Sequence, residues 1–136
     1  MYQVKAIEML KKHEGLRLKP YRCTAGRLTI GYGRNIQDNG ITEEEALFML
    51  TADMLIAEQE LCGIFGRYGS FSENRKAALI NMIFNLGKTR FLLFRNMIKS
   101  INEGDWDLAA GEAMDSIWAT QVGNRANEIA GMLKKG

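Results

Sequence analysis

The sequence predicts an α+β fold, in which a long helix joins a small antiparallel sheet near the N-terminus to a larger helical part. Three observations carry that expectation. Residues 16–35 gather Pro20, Gly26, Gly31 and Gly33 around the strand-forming run Leu28-Thr29-Ile30, a composition of short strands and tight turns. Beyond residue 42 the apolar residues recur every three or four positions, which is helical spacing. Two Ser/Thr-x-x-Glu boxes, Thr42 to Glu45 and Ser70 to Glu73, stand where helices would begin.

In chain order, Val4, Ile7 and Leu10 predict a helix within residues 1–14, stopped by Gly15. Residues 15–41 hold the sheet. A connecting helix follows over 42–62, with Leu47, Leu50, Met54, Ala57 and Leu61 on one stripe. The helical lobe takes residues 63–136. Within it, Ala77 to Leu86 is apolar nearly all round, as expected of a helix at the centre of a bundle. Phe91, Phe94, Ile98 and Ile101 predict a second helix, ending near Gly104. Asp105 caps a third, with Trp106, Ala109, Ala110, Ala113 and Ile117 on one face, and a last helix covers about Asn124 to Leu133. Cys62 is expected to pack at the end of the connecting helix. The whole of 1–136 reads as one domain of two lobes, an arrangement that leaves a cleft for a ligand.

Composition narrows the function. At 136 residues the chain is long enough to bury a core, and 46% hydrophobic with 25% charged residues is ordinary for a soluble globular protein. A net charge of +2 gives nucleic-acid binding little support, although a slight basic excess suits an acidic polymer such as a bacterial wall. Cys23 and Cys62 make no disulfide framework, and a single histidine rules out a His-rich metal site, so no metal and no cofactor are expected. The N-terminal residues lack the apolar run of a signal peptide, and no window is long and apolar enough for stable membrane insertion. The expectation is a protein that begins in a cytosol and needs another route to any target outside it.

The chemistry concentrates in one stretch. Glu14, Cys23 and Thr29 place a carboxyl group, a thiol and a hydroxyl within sixteen residues, on a segment whose turns can fold it back on itself. Such a set can build a hydrolytic site around one water. Hydrolysis at such a site needs a proton donor for the leaving group and a second group to help water, or a nucleophile. A glutamic acid is mostly ionised at neutral pH, so a donor must be placed where its neutral form is favoured. The C-terminal end of the first helix, the negative end of its dipole, is such a place. A free thiol of pKa about 8.5 is only slightly ionised at pH 7. Lys19, Arg22 and Arg27 close by would favour the thiolate. The thiolate can serve as base to a water or attack the substrate itself.

Four blocks, in order, resemble the phage-type, T4-like lysozymes or endolysins. They are H-E-G-L-R-L-K-P-Y (13–21), T-I-G-Y-G (29–33), R-K-A-A-L-I-N-M-I-F-N-L-G (75–87) and W-A-T-Q-V-G-N-R-A (118–126). The triplet has the spacing of that family: Glu, eight residues, Asp or Cys, five residues, Thr. The resemblance implies a two-lobed lysozyme-like α+β fold and hydrolysis of the β-1,4 bond between N-acetylmuramic acid and N-acetylglucosamine in peptidoglycan. It implies Glu14 as general acid at the glycosidic oxygen, Cys23 as the group assisting water (giving inversion) or as nucleophile at the anomeric carbon (giving retention), and Thr29 as the residue positioning that water. It further implies Arg125, Phe84, Asn85 and Gly33 as substrate-binding or site-supporting residues. Arg34 departs from the family at a position where many members carry His. The stretch from Arg34 to Ile41 is short, which predicts a trimmed sheet lobe lacking the extra helix of longer relatives.

As an endolysin the protein would wait in the host bacterial cytoplasm, pass a holin or similar pore, and act as a monomer on the wall in the periplasm. Two other readings stay open. Cys23 with His13 resembles the thiol–imidazole pair of a cell-wall peptidase or amidase. A silent wall-binding module is the other, though it would be expected to have lost Glu14.

Overall fold

The computed structural model describes all 136 residues. It is mostly helical with one small antiparallel sheet, and the chain divides into two compact units, Met1–Phe48 and Met49–Gly136.

The first unit opens with α1 (Tyr2–Glu14). Gly15 stops it in the left-handed region at φ 72, and its N–H bonds the Lys11 carbonyl. Glu14 is therefore the last helical residue. No residue of α1 is buried. The sheet is a meander of β1 (Arg17–Arg22), β2 (Leu28–Gly31) and β3 (Arg34–Asn35). Register is set by Arg22 opposite Leu28, Tyr21 opposite Thr29 and Arg17 opposite Gly31, with an irregularity between Arg17 and Tyr21. On the other side Thr29 faces Asn35 and Ile30 faces Arg34. Thr29 thus lies on the central strand, flanked on both sides.

The segment after β3 keeps more structure than its length predicts. A single helical turn, α2 (Ile36–Asn39), is capped by Asn35, whose side chain accepts from the Asp38 N–H. The capping box at Thr42 forms as expected. The Glu45 N–H donates to Thr42 Oγ1 at 3.2 Å, and the Thr42 N–H donates to Glu45 Oε1 at 2.8 Å.

That box opens α3 (Glu43–Ile64), which runs from the first unit into the second. It passes straight through Gly63, because one glycine costs a helix only about 1 kcal/mol. Ala57 and Leu61 are buried, whereas Leu47 and Leu50 near its start are exposed. Cys62 is exposed as well, against expectation. It follows the buried Leu61 by one residue, a rotation of about 100° that carries it off the stripe.

The second unit holds the core. A 3-10 turn (Tyr68–Ser70) leads to α4 (Glu73–Leu86), then α5 (Lys88–Phe91), α6 (Arg95–Asn102), α7 (Trp106–Met114), α8 (Ile117–Val122) and α9 (Asn124–Lys135). Leu79, Met82 and Ile83 of α4 pack with Phe65, Phe91, Met97, Ile101, Ile129 and Leu133. Several details differ from the sequence reading. Ser72, not Ser70, caps α4 by accepting from the Arg75 N–H, while Ser70 Oγ donates back to the Arg67 carbonyl inside the 3-10 turn. Helix α4 is not buried all round: Ala77, Asn81, Phe84 and Asn85 are exposed. The helix expected from Phe91 to Ile101 is two, split by a turn at 92–94. Asp105 caps α7 as expected, but Ser116 starts a new helix, so Ile117 is 79% exposed rather than on the inner face of α7.

Arg75 ties three helices together. Its Nε donates to the Leu133 carbonyl at 2.8 Å, and its guanidinium lies 4.3 Å from the centre of the Trp106 ring. It thereby caps the end of α9 and stacks on the start of α7. Arg75→Ala is expected to cost about 1–3 kcal/mol, read as a lower urea midpoint at unchanged slope. Arg75→Lys should recover only part of that, since lysine lacks the planar fork.

Candidate active site

The hairpin between β1 and β2 builds the centre of the site. Its loop, residues 23–27, is closed by two backbone bonds: the Cys23 N–H to the Arg27 carbonyl at 3.0 Å, and the Gly26 N–H to the Cys23 carbonyl at 2.8 Å. Gly26 takes φ 78, which favours glycine. Arg22 braces the turn by donating to the Gly26 carbonyl at 3.0 Å.

This turn faces its donors toward the Cys23 sulfur. The backbone N–H groups of Arg27 and Ala25 pull the thiol below its ordinary pKa, burial opposes them, and the nearby Thr29 side chain adds a smaller lowering effect. Cys23 is partly exposed. Thr29 is 3% exposed, and its hydroxyl donates to the Arg27 carbonyl at 2.9 Å. Antiparallel pairing places Thr29 opposite Tyr21, so Cys23 and Thr29 meet across the mouth of the hairpin.

Glu14 reaches the same sheet from the end of α1. Its carboxylate lies against Gly33, in the turn between β2 and β3. A Cβ placed on Gly33 would sit 2.9 Å from Glu14 Oε2. The carboxylate thus touches the hairpin that carries Thr29, and Thr29 touches the sulfur. The remaining sequence-predicted residues belong to the second unit. Phe84 is 47% exposed on α4. Asn85 follows it, and its side-chain oxygen accepts from Trp118 Nε1 at 2.8 Å. Arg125 is exposed in the first turn of α9.

Arg34 donates from Nη1 to Glu45 Oε1. That contact, followed by the Thr42 N–H, lowers the Glu45 carboxyl to about 2. A depressed carboxylate stabilises the fold above its unfolded pKa, and the benefit is lost as pH falls through the folded value. Stability should therefore decline between about pH 4.5 and pH 2 through this pair. Glu45→Gln should flatten that limb in urea titrations run at several pH values. The effect should also shrink with added salt, since both side chains are solvent-accessible.

The backbone N–H groups around the sulfur, and the pairing of Arg34 with Glu45, were not read from the sequence. The first are main-chain groups and leave no residue signal. The second joins positions eleven apart across a turn.

A mostly helical chain with one small three-stranded antiparallel sheet is a lysozyme-like α+β fold. The chain belongs to the phage lysozyme family, whose pattern matches residues 11–135. It is 34% identical to an endolysin of Acyrthosiphon pisum secondary endosymbiont phage 1, over 96% of this chain and 89% of that one. A probable T4-type lysozyme of Dictyostelium discoideum is 29% identical over 95% of this chain and 93% of its own. An endolysin of Salmonella phage P22 is 30% identical over 76% and 75% respectively. The protein is accordingly an enzyme, a lysozyme with lytic, muramidase-type activity. No helix is long and apolar enough to cross a membrane.

Proposed function

We propose that the protein is an endolysin that hydrolyses the β-1,4 bond between N-acetylmuramic acid and N-acetylglucosamine in peptidoglycan, lysing its host cell. The whole of 1–136 serves as one catalytic domain. Glu14 gives its proton to the bridging oxygen as the bond to the anomeric carbon breaks. Water held by Thr29 adds to that carbon, and its proton passes to the Cys23 thiolate. Arg125, Phe84, Asn85 and Gly33 bind substrate or support the site. Likeness to phage endolysins supports storage in the host cytoplasm and release through a holin-type pore, with a monomer acting on the wall.

The observation that carries this reading is the meeting of Cys23 and Thr29 in a turn whose backbone donors favour the thiolate. A base beside a buried hydroxyl suits the handling of one water. The peptidase reading needs His13 at the sulfur, and the side-chain group found there is the hydroxyl of Thr29.

Mass spectrometry of digested peptidoglycan tests the proposal. Fragments ending in reducing N-acetylmuramic acid are expected. New amino termini or free stem peptides would overturn it in favour of a peptidase or amidase. The anomeric configuration of the first product, followed by NMR, separates water attack from attack by the sulfur.

A further inference from the structure

Nine glycines have positive φ, but only Gly33 and Gly136 would bring a Cβ within 4 Å of another group. Gly33 alone would bring it under 3.0 Å, and the group it meets is the Glu14 side chain: Oε2 at 2.9 Å, Cδ at 3.4 Å and Cβ at 3.7 Å. The whole length of Glu14 therefore lies along a bare Cα.

We propose that Gly33 is the positioning residue for the Glu14 carboxylate. The absent side chain is the space the carboxylate occupies, which fixes how far it reaches over the sheet. This rests on the reading of Glu14 as proton donor. Gly33 belongs to the turn joining β2 to β3, and β2 carries Thr29. One hairpin thus gauges both sides of the reaction, holding the hydroxyl through its strand and the carboxylate through its turn.

Gly31 separates this role from ordinary turn chemistry. It has φ 73 against 85 for Gly33, yet a Cβ there would meet nothing within 4 Å. An alanine at either position strains the backbone similarly. Only at position 33 does it also collide, and the colliding atoms are the far end of a flexible side chain. That collision is relieved by moving the carboxylate, so it costs geometry more than stability. A misplaced reacting group of about 1 Å can lower rates on the order of 100-fold.

The experiment compares Gly33→Ala with Gly31→Ala in the full chain, with Glu14 labelled with 13C at Cδ. The two variants should melt at similar temperatures. Gly33→Ala should have a kcat on the order of 100-fold below Gly31→Ala at similar KM, and only it should displace the Glu14 resonance. Placed in a Glu14→Gln background, Gly33→Ala should cost almost nothing further, because the group it displaces is already inert. If resonance and kcat match between the two alanine variants, the positioning role is overturned while the proposed function stands. A displaced resonance with unchanged kcat overturns the donor role of Glu14, and the positioning of an acid with it. Should either variant fail to fold, the unmodified protein still decides: a nuclear Overhauser contact between the Glu14 Hγ and Gly33 Hα protons is expected, and its absence overturns the proposal.

Discussion

Glu14→Gln is expected to abolish wall clearing, with a loss of roughly 10²–10⁴-fold in kcat, and to leave the fold intact. The amide has the shape of the acid, so it still fits against Gly33. It has no acidic proton to give to a leaving oxygen. Its cost in stability should be small. Glu14 is exposed at the last position of α1, and glutamine ranks beside glutamate as a helix former. The measurement pairs turbidity clearing of purified peptidoglycan with a urea titration of the same preparation. A folded variant that clears at the wild-type rate would remove Glu14 from the mechanism. It would leave the family membership untouched, since that rests on residues 11–135 together.

Legibility followed the range of the interaction. The capping box at Thr42 was readable because both of its bonds join residues three apart. The sheet was readable because Gly26, Gly31 and Gly33 mark turns that a side chain would strain. Cys23 and Thr29 were readable from their spacing with Glu14 and the resemblance it carries, whereas the register that brings the two together is seen only in the sheet. The failures have the same logic reversed. Ser70 and Ser72 are equally good caps by type, and the choice was made by a 3-10 turn that uses up Ser70. No glycine or proline marks the break at 92–94, where the helical spacing simply continues across a turn. The resemblance implies Gly33 as a site-supporting residue, but its contact with Glu14 brings together residues from a helix end and a distant turn, and composition carries no trace of that.

Cys23→Ala is expected to lose activity to a similar degree, while Cys23→Asp stays active. Alanine removes the group that takes a proton from water, a loss of roughly 10²–10⁴-fold. Aspartate restores a base in the same turn, where the N–H groups of Arg27 and Ala25 that favour the thiolate would favour a carboxylate for the same reason. The pH dependence gives the sharper result. The working form is the deprotonated one, so activity should rise with pH through the pKa of the group at position 23. For the natural thiol that rise falls below the ordinary thiol range of about 8.5, in the direction the surrounding donors push it. For aspartate, which ionises near pH 4, the rise should move several units toward acid. A profile that does not move between the thiol and the carboxylate, or a Cys23→Ala variant at near wild-type rate, would show that the sulfur takes no proton in the reaction. The base would then have to be sought among groups other than Cys23, with Thr29 holding water for a different partner.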